Sequence, residues 1–262
     1  MANQVSLMTY LQHGPLPVPV ILHGQSTQNT RHDAYNASDI SNVGHWAGFT
    51  LAAIQQRYGD LLATVQIVDE PFRLGSPSCP INSKRAVQMR INCDLINRII
   101  RSLRSGFAHM VSTQQLAGST VLTFDIGTLA AMIDGFTPGF AFYDPNLDVK
   151  TRPNRIPGNV KPSYKWSLDL RNHQNSSARM EFNQVLSQIN FYMKQHHARY
   201  GFVITDRELV AIRRLDRNGN LELSASIPWP ASGTASQPTL TMLLAIWYLG
   251  MLAADDQDWY LD

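Results

Sequence analysis

The strongest constraint on the fold lies between residues 140 and 224. Short apolar runs recur there at strand length: FAFY (140–143), YGFVIT (200–205), ELVAIR (208–213) and LELS (221–224). Each is four to six residues long, and Val, Ile, Phe and Tyr dominate them, as a half-buried or buried strand requires. The RNGN stretch (217–220) places Asn-Gly between the last two runs and predicts a hairpin. A helical pattern over 178–196 separates the first run from the others. Two more helices are predicted, one over 83–105 with Ser83 as N-cap and Gly106 as its stop, the other over 239–253 after Pro238. STVLTF (119–124) adds a further strand, and 154–160 feeds another. The order of helix, strands, helix, strands, helix defines an α/β class with a mixed central sheet flanked by helices.

Upstream of this region the pattern weakens. Residues 1–44 are rich in Pro, Asn, Ser and His, and read as an irregular arm packed on the body. Residues 45–262 then form a single domain. Within it, residues 45–58 predict a helix stopped by Gly59. Of 262 residues, 44% are hydrophobic, enough for one substantial core. Charged residues make up 16% and the net charge is +2, which permits a polyanionic partner without demanding one. Two cysteines, Cys79 and Cys93, are too few for a disulfide scaffold or a structural zinc site. No run approaches the ~18 apolar residues of a membrane span, and the N-terminus lacks a signal-peptide pattern. An intracellular, cytoplasmic location is the expectation, with the nucleus left open.

Four features carry chemistry, in this order. Thr137-Pro138-Gly139-Phe140-Ala141 leads into a strand. Gly158-Asn159-Val160-Lys161 follows on the next. Gln188 and Tyr192 lie four apart on one helical face. YGFVITD follows that helix. Together these resemble the PD-(D/E)XK nuclease superfamily, and more closely a group of fungal PD-(D/E)XK nuclease-like proteins. RIPGNVKPSYKW, SQINFYM, RYGFVITDRELVAIRRLDRNGNLELS and LLAIWYLGMLA carry the likeness, which covers roughly 119–252, about half the chain. It implies a restriction-endonuclease-like core. It also implies that Pro138 opens the first motif, that Lys161 is the motif lysine, and that Gln188 and Tyr192 form the helix pair of exonuclease-type members.

Two positions depart from the family pattern. Gly139 stands where the first Asp belongs, and Asn159 where the second carboxylate belongs. Carboxylates hold the Mg²⁺ of such nucleases and lower the pKa of its bound water. Glycine supplies no ligand and asparagine only a neutral oxygen, so no metal and no cofactor is expected. Glu181, two turns before Gln188, and the strand-end Asp125 and Asp144 are the carboxylates that a migrated site would use. Around Lys161 the chain is dense in basic and aromatic groups: Arg152, Arg155, Tyr164, Lys165 and Trp166. These are the candidate contacts to tRNA or another nucleic acid, with Lys161, Gln188, Tyr192 and Glu181 as candidate catalytic groups.

The leading expectation is a nuclease fold with replaced chemistry, near the fungal arginine-containing cyclodipeptide synthases, which join aminoacyl groups from tRNA. Acyl transfer from an activated ester needs a base and an oxyanion donor but no metal. That group uses an acidic DDxxE motif. This chain has Asp255-Asp256-Gln257-Asp258-Trp259 as its nearest equivalent, which otherwise reads as a solvated acidic tail. A non-catalytic binding module and a residual nuclease are the alternatives.

Overall fold

The computed structural model describes residues 3–21, 26–72 and 80–262. The predicted class holds. Among the described residues a mixed eight-stranded sheet forms the centre of the molecule, with helices on both faces. Its strands are β2 (Asn42–His45), β4 (Thr123–Ile126), β5 (Phe140–Tyr143), β6 (Gly158–Val160), β7 (Tyr200–Ile204), β8 (Glu208–Arg214), β9 (Asn220–Leu223) and β10 (Ile227–Pro228). The order across the sheet is β2-β9-β8-β7-β6-β5-β4, and β10 also pairs with β8. β2 runs parallel to β9, and β6 parallel to β7; the other pairings are antiparallel. A separate two-stranded ladder joins β1 (Gln4–Ser6) to β3 (Gln66–Val68).

One face of the sheet packs against α1 (Leu7–Leu11), α2 (Leu51–Thr64), α4 (Asn97–Ser112) and α6 (Met242–Ala254). Every residue of α6 is buried, as a helix apolar on all sides must be. Gly250 allows its close approach. A Cβ there would lie 2.8 Å from the Phe142 ring and 2.9 Å from Leu103. The opposite face packs against α5 (Ser176–Gln195), whose Val185, Leu186, Ile189 and Met193 meet Val203, Val210 and Ile212. No helix among the described residues is long and apolar enough to cross a membrane.

Several expectations need correction. Residues 1–44 are not irregular throughout: they carry β1, α1 and β2, and Leu7, Tyr10 and Leu11 are fully buried in the main core. Gly59 and Gly106 do not stop helices. α2 begins after the Thr50 N-cap and runs through Gly59 to Thr64. The second helix does start at Ser83, as α3 (Lys84–Ile91). It continues through a π turn (Asn92–Ile96) into α4, with Gly106 buried inside it. Glycine costs a helix only ~1 kcal/mol, which tertiary packing outweighs; at Gly106 a Cβ would sit 3.5 Å from the Trp247 indole nitrogen. The strand predicted over 119–124 starts four residues later and ends two later, as β4.

β5 and β6 share only one ladder pair, Phe140 with Gly158. Fully buried Asn154 continues the connection. Its Oδ1 accepts from the Phe142 and Ile156 N–H groups at 3.1 and 3.2 Å, and its Nδ2 donates to the Phe140 carbonyl at 3.0 Å. Asn154→Ala removes the side-chain partner of three buried backbone groups. It is expected to cost about 3 kcal/mol, read as a lower urea midpoint at unchanged slope.

Candidate functional site

Alternation along β6 decides what the site contains. Val160 faces the main core, so Asn159 and Lys161 face the α5 side. The Asn159 amide, 1% exposed, donates to Gln188 Oε1 at 3.0 Å. The Gln188 amide nitrogen in turn donates to the Tyr192 and Tyr35 hydroxyls at 3.1 and 3.0 Å. The helix pair and the strand thus meet, but Gln188 reaches Asn159 rather than Lys161. Burial pushes the Tyr192 phenol up to about 12 and raises Tyr35 as well, so both remain protonated hydroxyls at neutral pH. Tyr35 had no sequence signal: it comes from the arm, more than 150 residues away in sequence from its partner.

Gly139 sits beside this row, its N–H donating to the Gly158 carbonyl at 2.8 Å. A Cβ at 139 would lie 3.0 Å from Val160 and 3.2 Å from the Gly158 carbonyl oxygen, so this position is packed against side chains of any size. Gln88 of α3 closes the same corner, donating to the Gly139 carbonyl at 3.1 Å.

Lys161 follows directly on β6. Its N–H continues the ladder to the Ile204 carbonyl at 3.1 Å, and only 4% of the residue is exposed. Among the described residues its ammonium makes no hydrogen bond and no ion pair. Burial first, then the positive charges of Lys84 and Lys165, lower its pKa to about 7; Glu181 opposes them. At neutral pH Lys161 is therefore poised between ammonium and amine, the condition a general base needs.

The turn after Lys161 is held rigidly. Asp206 accepts from the Ser163 N–H and hydroxyl, both at 2.6 Å, and Glu208 accepts from the Leu168 N–H at 2.8 Å. This places Tyr164, whose hydroxyl donates to the Asn82 carbonyl at 3.1 Å, and Lys165, whose ammonium donates to the Gln28 carbonyl at 2.8 Å. Trp166 is fully buried and stacks on Phe182 at 5.6 Å, so it offers no face to a base. Arg152 lies over the Tyr143 ring at 4.0 Å. Arg155 lies before β6, at the other end from Lys161, and is 8% exposed. Its guanidinium donates to the Ala253 carbonyl (3.0 Å), Asp256 (2.8 Å) and Thr120 (2.9 Å) and covers Trp259. These partners occupy it as a structural group.

The carboxylates are equally committed. Glu181 accepts from the Asn29 N–H at 2.7 Å and from Arg31 at 3.0 Å. Asp125 and Asp144 accept from the Ile126 and Asn146 N–H groups at 2.7 and 2.9 Å. No group of three or more His, Cys, Asp or Glu side chains converges among the described residues. The acidic tail is not a solvated end. Asp255 meets Arg57 at 3.2 Å, Asp256 meets Arg155, and Asp258 accepts from Tyr200 at 2.6 Å. Cys93 is an exposed free thiol, and Cys79 lies outside the described residues.

Compared with models of known families, with curated proteins and with solved structures, the chain matches none. What the fold and site define is an α/β protein with a mixed sheet and a buried, unneutralised lysine at the end of a central strand.

Lys161 ties stability to pH in a definite direction. In the unfolded chain a lysine keeps its proton to about 10.5, whereas here it loses it near 7. Between those values the unfolded chain binds the extra proton, so stability rises with pH; below about 7 the full cost of burying the charge is present. Lys161→Met is expected to stabilise the fold at neutral pH by roughly 2–4 kcal/mol and to flatten the rise in stability between pH 7 and 10.5. Denaturation curves across that range check both.

Proposed function

We propose that this protein is a repurposed PD-(D/E)XK nuclease-like protein. In this reading it lacks metal-dependent cleavage and catalyses tRNA-dependent aminoacyl transfer that yields a cyclodipeptide. One observation carries the reading. At the position where the family has its second carboxylate, Asn159 is hydrogen-bonded to Gln188, while Lys161, two residues on, is buried without a counter-charge in contact. A neutral amide pair holds no hard cation well, and a lysine near pKa 7 supplies acid–base chemistry without one.

The chemistry balances without a cofactor. The amine of one aminoacyl group attacks the ester carbonyl of the other, and the ribose hydroxyl leaves. The second amine then attacks the remaining ester, the six-membered ring closes, and a second hydroxyl leaves. Lys161 as the free amine takes the proton from each attacking nitrogen and returns it to the departing oxygen. Asn159, Gln188, Tyr192 and Tyr35 act as the rigid wall that positions it.

Purified protein given freshly charged aminoacyl-tRNA is expected to release a diketopiperazine, detected by mass spectrometry. The rate should rise with pH through about 7, and Lys161→Met should lose at least a hundredfold, the low end of general-base effects (~10²–10⁴). The same preparation should not cleave DNA or RNA with Mg²⁺ or Mn²⁺. Metal-dependent cleavage lost in Glu181→Gln would overturn the reading in favour of a residual nuclease. tRNA binding without product would assign the protein a binding role instead.

A further inference from the structure

A cavity of about 420 Å³ opens beside the site, between the N-terminal arm, the segment after Lys161 and the first turns of α5. This lies within the ~300–1,000 Å³ usual for small-ligand pockets. Its lining includes Leu170, Tyr164 and Met180, the last 48% exposed. The rim carries Lys165 and Arg31. Lys165 uses one of its three donors on the Gln28 carbonyl (2.8 Å), and Arg31 spends one nitrogen on Glu181 (3.0 Å). Glu181 forms the floor, its oxygens occupied by Arg31 and the Asn29 N–H. Lys165 and Glu181 are also two of the three charges that act on the Lys161 ammonium; the third is Lys84. Lys165, four residues after Lys161, lines the cavity; Lys161 itself does not.

An aromatic ring, an exposed methionine and two cations lining one cavity match a flat base carrying a phosphate on one side. We propose that this cavity binds one unpaired nucleotide of an RNA strand, its base between Tyr164 and Met180 and its phosphate on Lys165 and Arg31. The inference rests on the proposed function for the choice of RNA, because the segment from Lys161 to Lys165 runs from the lysine into the cavity lining. Tyr164 and Lys165 were candidates from sequence; Arg31, Leu170 and Met180 join them only through the fold.

The test is fluorescence anisotropy with a labelled single-stranded CCA-ended RNA at low and moderate salt, with CMP and a blunt RNA duplex as controls. Wild-type protein should bind the single strand and prefer it to both controls. Tyr164→Leu should weaken binding at least fivefold. Lys165→Met and Arg31→Met should each reduce the salt slope by about one. Arg31 helps to pin the arm, so Met180→Glu is the decisive variant: it breaks no hydrogen bond, places a carboxylate against the base and should weaken binding at least tenfold. Binding unchanged in Met180→Glu, CMP bound as tightly as the strand, or a preference for the duplex would each overturn the inference. RNA bound in this way without diketopiperazine formation leaves the pocket standing and removes the enzymatic reading. Product formation undisturbed by Met180→Glu does the reverse.

Discussion

The hydrogen bond from Asn159 to Gln188 joins the central sheet to α5, and much of the site's geometry follows from it. Both groups are buried, and a buried amide without partners costs on the order of 1–3 kcal/mol. Each therefore fixes the other. Gln188 is turned so that its nitrogen faces Tyr192 and Tyr35, and this draws residue 35 of the arm onto α5. A central strand, a helix and a distant segment are held by one amide–amide contact.

Beside that satisfied network stands Lys161, which is not satisfied. Its surroundings offer burial and two further ammonium groups, with Glu181 the only opposing charge among those acting on it, and Glu181 is occupied by the arm. The fold tolerates a destabilising group here. Such local conflict is expected at functional positions, and it separates Lys161 from the basic residues around it. Arg155, by contrast, is buried with every appearance of structural use: it ties the start of β6 to the end of α6 and to Asp256.

The arm links the two halves of the functional region. Asn29 and Arg31 hold Glu181, Gln184 reaches the Thr30 carbonyl at 3.1 Å, and Lys165 reaches Gln28. These contacts place the arm across the outside of α5, where it walls the cavity and at the same time locks Gln188 through Tyr35.

Much of the secondary structure was legible because its causes are local. Phe140–Tyr143, Tyr200–Ile204 and the hairpin after Arg214 carry strand composition and turn residues in their own sequence, and the α/β class follows from their order. β5 and β6 are neighbours in the sheet and β6 meets α5, but the contact runs through Asn159 and Gln188, not through Lys161. Helix ends at Gly59 and Gly106 were misread because a glycine's modest helical cost is overridden by packing that the local sequence does not display. The roles of charged residues were the least legible. Arg155 and the 255–258 carboxylates look solvated in sequence and are paired in space, and Trp166 looks like a stacking platform and is core. By itself, then, the sequence determined strands, most helices and the lysine that ends β6, through composition and periodicity. Only the tertiary structure decided which charges are neutralised and that Lys161 is left buried without a contacting counter-charge, because that depends on groups separated by as many as 198 residues of chain.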